Sequence, residues 1–159
     1  MNDLERIIYI LNTVPLYRKY TIHNLVNTIL PAVKSNQYVI VSNEKTPLFF
    51  ATWTFLSQKV SDEYAAQTRS LKAEDWNTGV IPWVIDCIAP YGGVFTEMRS
   101  KESQLIGKLK AAGVKGRVQY FRQKGKRRTL QYATHGITPV FQSSAFKLLV
   151  CAAYSSETF

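Results

Sequence analysis

The sequence predicts an α/β domain with an antiparallel-rich central sheet flanked by helices. Three observations carry that expectation. Two N-terminal segments have helical apolar spacing. Two β-branched and aromatic runs, "QYVIVSN" and "PLFFATWTFL", are separated by the polar "EKT". Alternating strands return in "GRVQYFRQ" and "RRTLQYAT". With 159 residues and 46% hydrophobic content, the chain can bury one core and is read as a single domain over residues 1–159.

Taken in order, Asp3 is positioned to cap a helix bearing Leu4, Ile7, Ile8 and Leu11 and ending near Asn12. Thr21 is positioned to cap a second helix with Ile22, Leu25, Val26, Ile29 and Leu30 on one side, which Pro31 bends or ends. The hairpin at residues 37–56 tolerates Pro47 because it stands at the start of the second strand. "SDEYAAQTRSL" opens with Ser61 and two acids, the usual start of a helix. "GVIPWVIDCIAP" reads as a buried strand ending at Pro90, followed by a "YGG" loop and an amphipathic helix over 94–112 stopped by Gly113. The last hairpin turns near Gly125, and "SSAFKLLVCAAYSS" is open between a helix capped by Ser143 or Ser144 and a strand. An acyl-CoA N-acyltransferase-like (GNAT-like) sandwich is one arrangement with this order.

The net charge of +9 is unevenly placed. Residues 1–95 hold eight Lys/Arg and eight Asp/Glu, whereas residues 96–159 hold twelve and three. Within the second half, Lys115, Arg117, Arg122, Lys124, Lys126, Arg127 and Arg128 lie close together, enough to attract an anionic partner at long range. No run of about 18 apolar residues occurs, and acidic Asp3 and Glu5 stand where a basic targeting region would begin, so a soluble, cytoplasmic protein without a transmembrane segment is expected. Cys87 and Cys151 show no metal-ligand or CxxC spacing and read as small apolar residues; no metal site is expected.

Asp86 is the conspicuous ionisable group, because it interrupts an apolar strand where an unpaired carboxylate is costly. Either it orients or activates a proton-transfer partner, or it accepts structural N–H bonds. His23 falls in the first turn of the second helix, where the dipole favours the neutral, proton-accepting form, although a solvent-facing helical histidine reads the same way. His135, followed by Gly136, reads as a turn residue. Tyr17 can donate a hydrogen bond to a developing oxyanion but is a poor base at its ordinary pKa near 10. Tyr20, Tyr38, Trp53, Trp76 and Trp83 are expected in the core or on pocket walls. The GxSxG, HExxH, P-loop and dinucleotide motifs do not occur, so those hydrolase, zinc-protease and nucleotide-binding classes gain no support.

"LPAVKSNQYVIVS", "TPLFFATW" and "LKAEDWNTGVIPWVIDCIAPYG" together resemble the toxin-activating lysine-acyltransferases, which transfer fatty acyl chains from acyl carrier protein to lysines of RTX pore-forming toxins. The resemblance runs over roughly residues 10–95 and fades beyond Gly93. It implies an acyl-CoA N-acyltransferase-like fold and a catalytic histidine and aspartate. The family's "DWIAPFG" matches "DCIAPYG", which makes Asp86 the counterpart of the aspartate, with Cys87 in place of a tryptophan. Where the family reads "SPLHR" or "SPMHR", this chain has "VPLYR": Tyr17 holds the histidine position and Val14 that of a serine. Phe50 holds the position of a tyrosine in the family's "AYCSW".

Three readings follow. In the first, a divergent acyltransferase modifies a secreted toxin or peptide, with Asp86 and either His23 or Tyr17 catalytic. Arg122, Lys124, Lys126, Arg127 and Arg128 would then bind an acidic carrier protein or substrate. In the second, the chain resembles the small siderophore-microcin branch, whose members act with a partner enzyme to join a glycosylated catechol siderophore to the C-terminal serine of a precursor peptide. Ester formation on a hydroxyl asks less of a base than deprotonating a lysine ammonium. In the third, the chain is a catalytically silent peptide-binding subunit. An enzyme of toxin or bacteriocin maturation is the expectation, because Asp86 persists in its apolar strand, and lysine acylation of an RTX toxin is the first alternative. No bound cofactor is expected; the donor is an acyl carrier protein-linked or other activated acyl group. The expected partners are a protoxin or precursor peptide, acyl carrier protein and a hetero-oligomeric partner enzyme. Nucleic acid is not among them, because it leaves the "AEDW…IAPYG" block unexplained.

Overall fold

The computed structural model describes residues 1–91, 116–124 and 127–135. The helix expected over 94–112, the segment after Gly136, Cys151, Lys115 and Lys126 lie outside the described residues. Helix α1 (Asp3–Thr13), the short α2 (Pro15–Arg18), α3 (Ile22–Asn24), a π-helical turn (Leu25–Ile29) and α4 (Leu30–Lys34) lead into strands β1 (Tyr38–Ser42) and β2 (Pro47–Leu56). Helix α5 (Gln58–Ala65), a 3₁₀ turn (Ala73–Asp75) and β3 (Ile81–Ile88) follow, then β4 (Gly116–Lys124) and β5 (Arg127–His135). The five strands form one sheet in chain order. β1–β2, β2–β3 and β4–β5 are antiparallel, whereas β3–β4 are parallel and register at Trp83↔Gln119. Mixed helices on an antiparallel-rich sheet were legible from the pattern of apolar residues; the parallel junction was not.

Several boundaries differ from expectation for identifiable reasons. Asn2 caps α1 in place of Asp3: its side chain accepts the Glu5 N–H at 2.9 Å while the Glu5 carboxylate accepts the Asn2 N–H at 2.7 Å, a reciprocal capping box that satisfies two helix-terminal donors. α5 begins at Gln58 behind the Ser57 cap, not at Ser61. Ser61 is buried instead, and its hydroxyl accepts the Trp83 indole N–H at 2.9 Å. Pro31 does not end the second helical segment. The backbone widens into the π turn before it and continues as α4, an accommodation in which a turn absorbs the missing N–H and the ring. His135 closes β5, not a turn.

The sheet is covered on one side by two apolar clusters. The N-terminal helices bring Ile7, Ile10, Leu11, Val14 and Ile29 against Phe50 and Ile88. Farther along the sheet, Leu56, Tyr64, Leu71 and Trp83 pack with Phe121 and Leu130, and the Tyr64, Trp83 and Phe121 rings have centroids 4.9–5.4 Å apart. No helix among the described residues is long and apolar enough to cross a membrane.

The "LKAEDWNTG" segment is architectural. Trp76 donates its indole N–H to the Asn27 carbonyl at 2.9 Å, the acceptor that Pro31, four residues on and lacking an N–H, cannot serve. The Asn27 side chain accepts the Ala73 N–H at 3.0 Å. Asn77, with positive φ of 59°, donates its backbone N–H to Thr54 Oγ1, and a Cβ on Gly79 would sit 2.5 Å from the Leu56 carbonyl oxygen. Trp76→Phe is expected to cost about 1–2 kcal/mol by leaving a shielded carbonyl unpaired, measured as a fall in the urea midpoint with an unchanged slope.

Candidate active site

β2 and β3 change register once. Ala51 pairs with Cys87 and Trp53 with Val84, so β3 carries an extra residue, Ile85 or Asp86, opposite Thr52. A bulge of this kind re-aims side chains out of strict alternation. Ile85 packs with the Trp83 cluster, and the next residue, Asp86, turns toward the N-terminal helices.

Asp86 is 3% exposed. Its Oδ1 accepts the Tyr17 hydroxyl at 3.0 Å, and its Oδ2 accepts the Thr52 hydroxyl at 3.2 Å. Thr52 Oγ1 in turn accepts the Asp86 backbone N–H at 3.1 Å. The buried carboxylate is therefore supplied with donors, as burial demands. Tyr17 comes from α2, whose Pro15, Leu16 and Arg18 are exposed; the residue is half-buried while its hydroxyl end is enclosed beside Asp86. Proline in the first turn fixes this short helix, and the Tyr17 and Arg18 N–H groups both bond the Val14 carbonyl, at 3.0 and 3.2 Å. The Tyr20 ring packs against Tyr17 in a tilted arrangement, with centroids 4.8 Å apart and planes at 53°.

Burial, the Asp86 charge and the hydrogen bond to it hold the Tyr17 phenol well above its ordinary pKa. Tyr17 is thus a protonated donor at neutral pH and cannot serve as the general base. Burial and then Asp86 likewise push the Cys87 thiol up, so it stays protonated and unreactive.

His23 stands elsewhere in character. It is exposed on α3, with its Nε2 3.2 Å from Asn27 Nδ2, and Asn27 Nδ2 also donates to the His23 carbonyl at 2.8 Å. The structure therefore joins Tyr17 to Asp86 and leaves His23 bonded to Asn27. Arg122 and Lys124 lie on β4 and Arg127 and Arg128 on β5, with Lys124↔Arg127 and Gln123↔Arg128 paired in register; the turn expected near Gly125 lies outside the described residues. Among the described residues, no group of three or more His, Cys, Asp or Glu could hold a metal ion.

A family model described as the RTX toxin acyltransferase family matches residues 2–134. The chain belongs to that family. Among its relatives, the RTX-II toxin-activating lysine-acyltransferase of Actinobacillus pleuropneumoniae is 30% identical over 67% of this chain and 69% of its own length. A protein-lysine myristoyltransferase of Escherichia coli is 36% identical over 55% of this chain and 52% of its own. The leukotoxin-activating lysine-acyltransferase of a Pasteurella haemolytica-like strain is 26% identical over 76% and 77%. The matched stretch thus spans from about half to about three-quarters of these relatives.

Within this acyltransferase family member, sequence reasoning missed Thr52. A threonine inside "FFATW" looks like a β-former, and only the pairing of that strand with "VIDC" reveals a hydroxyl facing the carboxylate. It also missed Asn27, whose position four residues before Pro31 was the available signal.

Proposed function

We propose that this chain transfers an acyl group from an activated, carrier-protein-linked thioester to a lysine of an RTX-type protein toxin, with Asp86 as proton acceptor and Tyr17 as its hydrogen-bonding partner. The observation that carries the reading is the 3.0 Å bond between Tyr17 and Asp86, residues far apart in sequence that occupy the two positions the family resemblance assigns to catalysis. In the reaction the lysine ammonium gives up one proton to the carboxylate, its nitrogen attacks the thioester carbon, and the C–S bond breaks as the amide forms. The departing carrier thiolate takes the second nitrogen proton, and the carboxyl returns the first to solvent. Tyr17 aims Asp86 by donating its hydroxyl to Oδ1, and its own raised pKa leaves the carboxylate as the accepting group.

The basic hairpin supports an acidic donor or substrate surface. β3 and β4 run the same way from the Trp83↔Gln119 pair, so Asp86 and Arg122 each lie beyond that pair in the same direction. This backbone placement of Arg122 and Lys124 toward the Asp86 end of the sheet supports an acidic carrier being attracted toward the reacting centre. The antiparallel β1–β3 block followed by a parallel junction also supports the acyl-CoA N-acyltransferase-like reading of the fold.

A second reading has its own observation. With tyrosine at the histidine position, a second candidate acceptor is a hydroxyl such as that of a C-terminal serine, which starts neutral and has no ammonium proton to lose before attack, as in siderophore-microcin maturation with a partner enzyme. Intact-mass and fragment analysis of an RTX-type protoxin co-expressed with this chain and acyl carrier protein decides between them. An acyl mass on lysine is expected. Modification of a hydroxyl alone, or only with a second enzyme present, replaces the first reading by the second. No modification of either acceptor class, with or without that enzyme, leaves the silent binding subunit.

A further inference from the structure

We propose that Thr52 is a positioning residue for Asp86: its one hydroxyl grips the backbone and the carboxylate of the same bulged residue and so fixes the plane in which the carboxylate works. The proposal rests on the function proposed above.

A bulge takes a strand residue out of the regular ladder, and here the Asp86 N–H is satisfied by the Thr52 hydroxyl at 3.1 Å. The same hydroxyl sends its own proton to Asp86 Oδ2 at 3.2 Å. A hydroxyl has one donor and two acceptor sites, so both bonds coexist. They close a small ring in which backbone and carboxylate of Asp86 share one anchor. That anchor is rigid: Thr52 is fully buried, lies in the middle of β2, and is β-branched, so its χ1 is restricted.

The two carboxylate oxygens are thereby held by unlike elements. Oδ2 is tied to the sheet through Thr52, and Oδ1 to the surface turn α2 through Tyr17. An acceptor that reaches Asp86 displaces or shares the Tyr17 bond, since that bond comes from the more exposed element. Thr52 keeps the orientation while this happens. Its contribution is geometric, and geometry of this order governs proton transfer strongly.

The test compares Thr52→Val, which keeps the shape and removes the hydroxyl, with Thr52→Ser, which keeps the hydroxyl. Thr52→Val is expected to lower kcat for acyl transfer about 10–30-fold with acceptor KM within about twofold, and Thr52→Ser to stay within about threefold of the parent chain. A readout independent of activity is the Asp86 carboxyl ¹³C resonance at neutral pH, which should move in Thr52→Val and stay in Thr52→Ser. Wild-type kcat with an unmoved resonance in Thr52→Val overturns the proposal. So does a Thr52→Ser variant that falls as far as Thr52→Val, because the methyl packing would then be the cause. If Thr52→Val does not fold by circular dichroism, a Thr52→Ser kcat more than about tenfold down overturns it, and near-parent activity with an unmoved resonance supports it. If the parent chain modifies no acceptor, the functional reading fails by itself, and the two resonances still decide whether Thr52 grips the carboxylate.

Discussion

Asp86→Asn is expected to lower acyl transfer by about 10²–10⁴-fold in kcat while leaving the fold in place. The substitution is chosen because the amide can keep the local bonding. Its oxygen accepts the Tyr17 hydroxyl that now reaches Oδ1, and its NH₂ can donate to Thr52 Oγ1, with the threonine hydroxyl turning to suit. What it cannot do is accept a proton from an incoming ammonium. A large loss of kcat with KM nearly unchanged and an unaltered unfolding midpoint would identify a chemical role. An Asp86→Asn variant as active as the parent chain would assign Asp86 to the architecture, where a buried acceptor of two hydroxyls is sufficient reason for a polar residue. Tyr17 cannot take over, because its phenol is held protonated by burial and by the Asp86 charge. Removing that charge relaxes part of the shift, but burial, its largest cause, remains.

That experiment turns on a contact the sequence half revealed. Asp86 was legible because a carboxylate inside "WVIDCIAP" violates the apolar pattern of its strand, and Tyr17 because it stands where a resembling family keeps a histidine. Their meeting was not legible. It depends on the β3 bulge and on the short α2, both set by pairing and packing between segments distant in the chain. The helices, hairpins and buried strand followed from periodicity because each is a local pattern with a local cap or turn. The second helix was read as far as Pro31, which was expected to bend or end it; its continuation as α4 was not, and there Trp76 supplies from afar a donor to the Asn27 carbonyl that proline cannot serve. The same division applies to the "AEDW" segment. Its residues carried the family resemblance, and in the structure they brace the framework: Asp75 bonds Arg69, Trp76 the Asn27 carbonyl, and Asn77 and Gly79 meet Thr54 and Leu56 of β2.

The strongest of those framework contacts makes a separate prediction about acid stability. Arg69→Met is expected to lower stability by about 2–3 kcal/mol near neutral pH, a fall of about 4–12 °C in Tm for a chain of this size. Arg69 donates from Nη1 and Nη2 to the two oxygens of Asp75 at 2.6 and 3.0 Å and from Nε to Glu63 at 2.7 Å, a fork that ties α5 to the 3₁₀ turn. Asp75 is 6% exposed, so truncating its partner strands a buried carboxylate that, among the described residues, keeps the Lys72 N–H at 2.8 Å and the nearby Lys72 charge. The figure is set below that for a fully buried pair because the Arg69 side chain is 31% exposed and partly screened. Arg69 holds the Asp75 carboxyl below its ordinary 3.8, outweighing the opposing effect of burial. A carboxyl with a lowered folded pKa contributes stability that is complete above the ordinary value and disappears as pH falls through the lowered one. The gap between parent and variant should therefore be constant from about pH 5 to 8 and close below about pH 4, in thermal melts followed by circular dichroism. A gap that persists undiminished at pH 3 would mean that Arg69 acts through packing of its stem, not through Asp75. The pair's consequence for function is positional: the 3₁₀ turn it fixes delivers Ala73 and Trp76 to Asn27, and Asn27 anchors the helical segment that follows the Tyr17 turn, so loosening the pair is expected to loosen one side of the site before the sheet that carries Asp86.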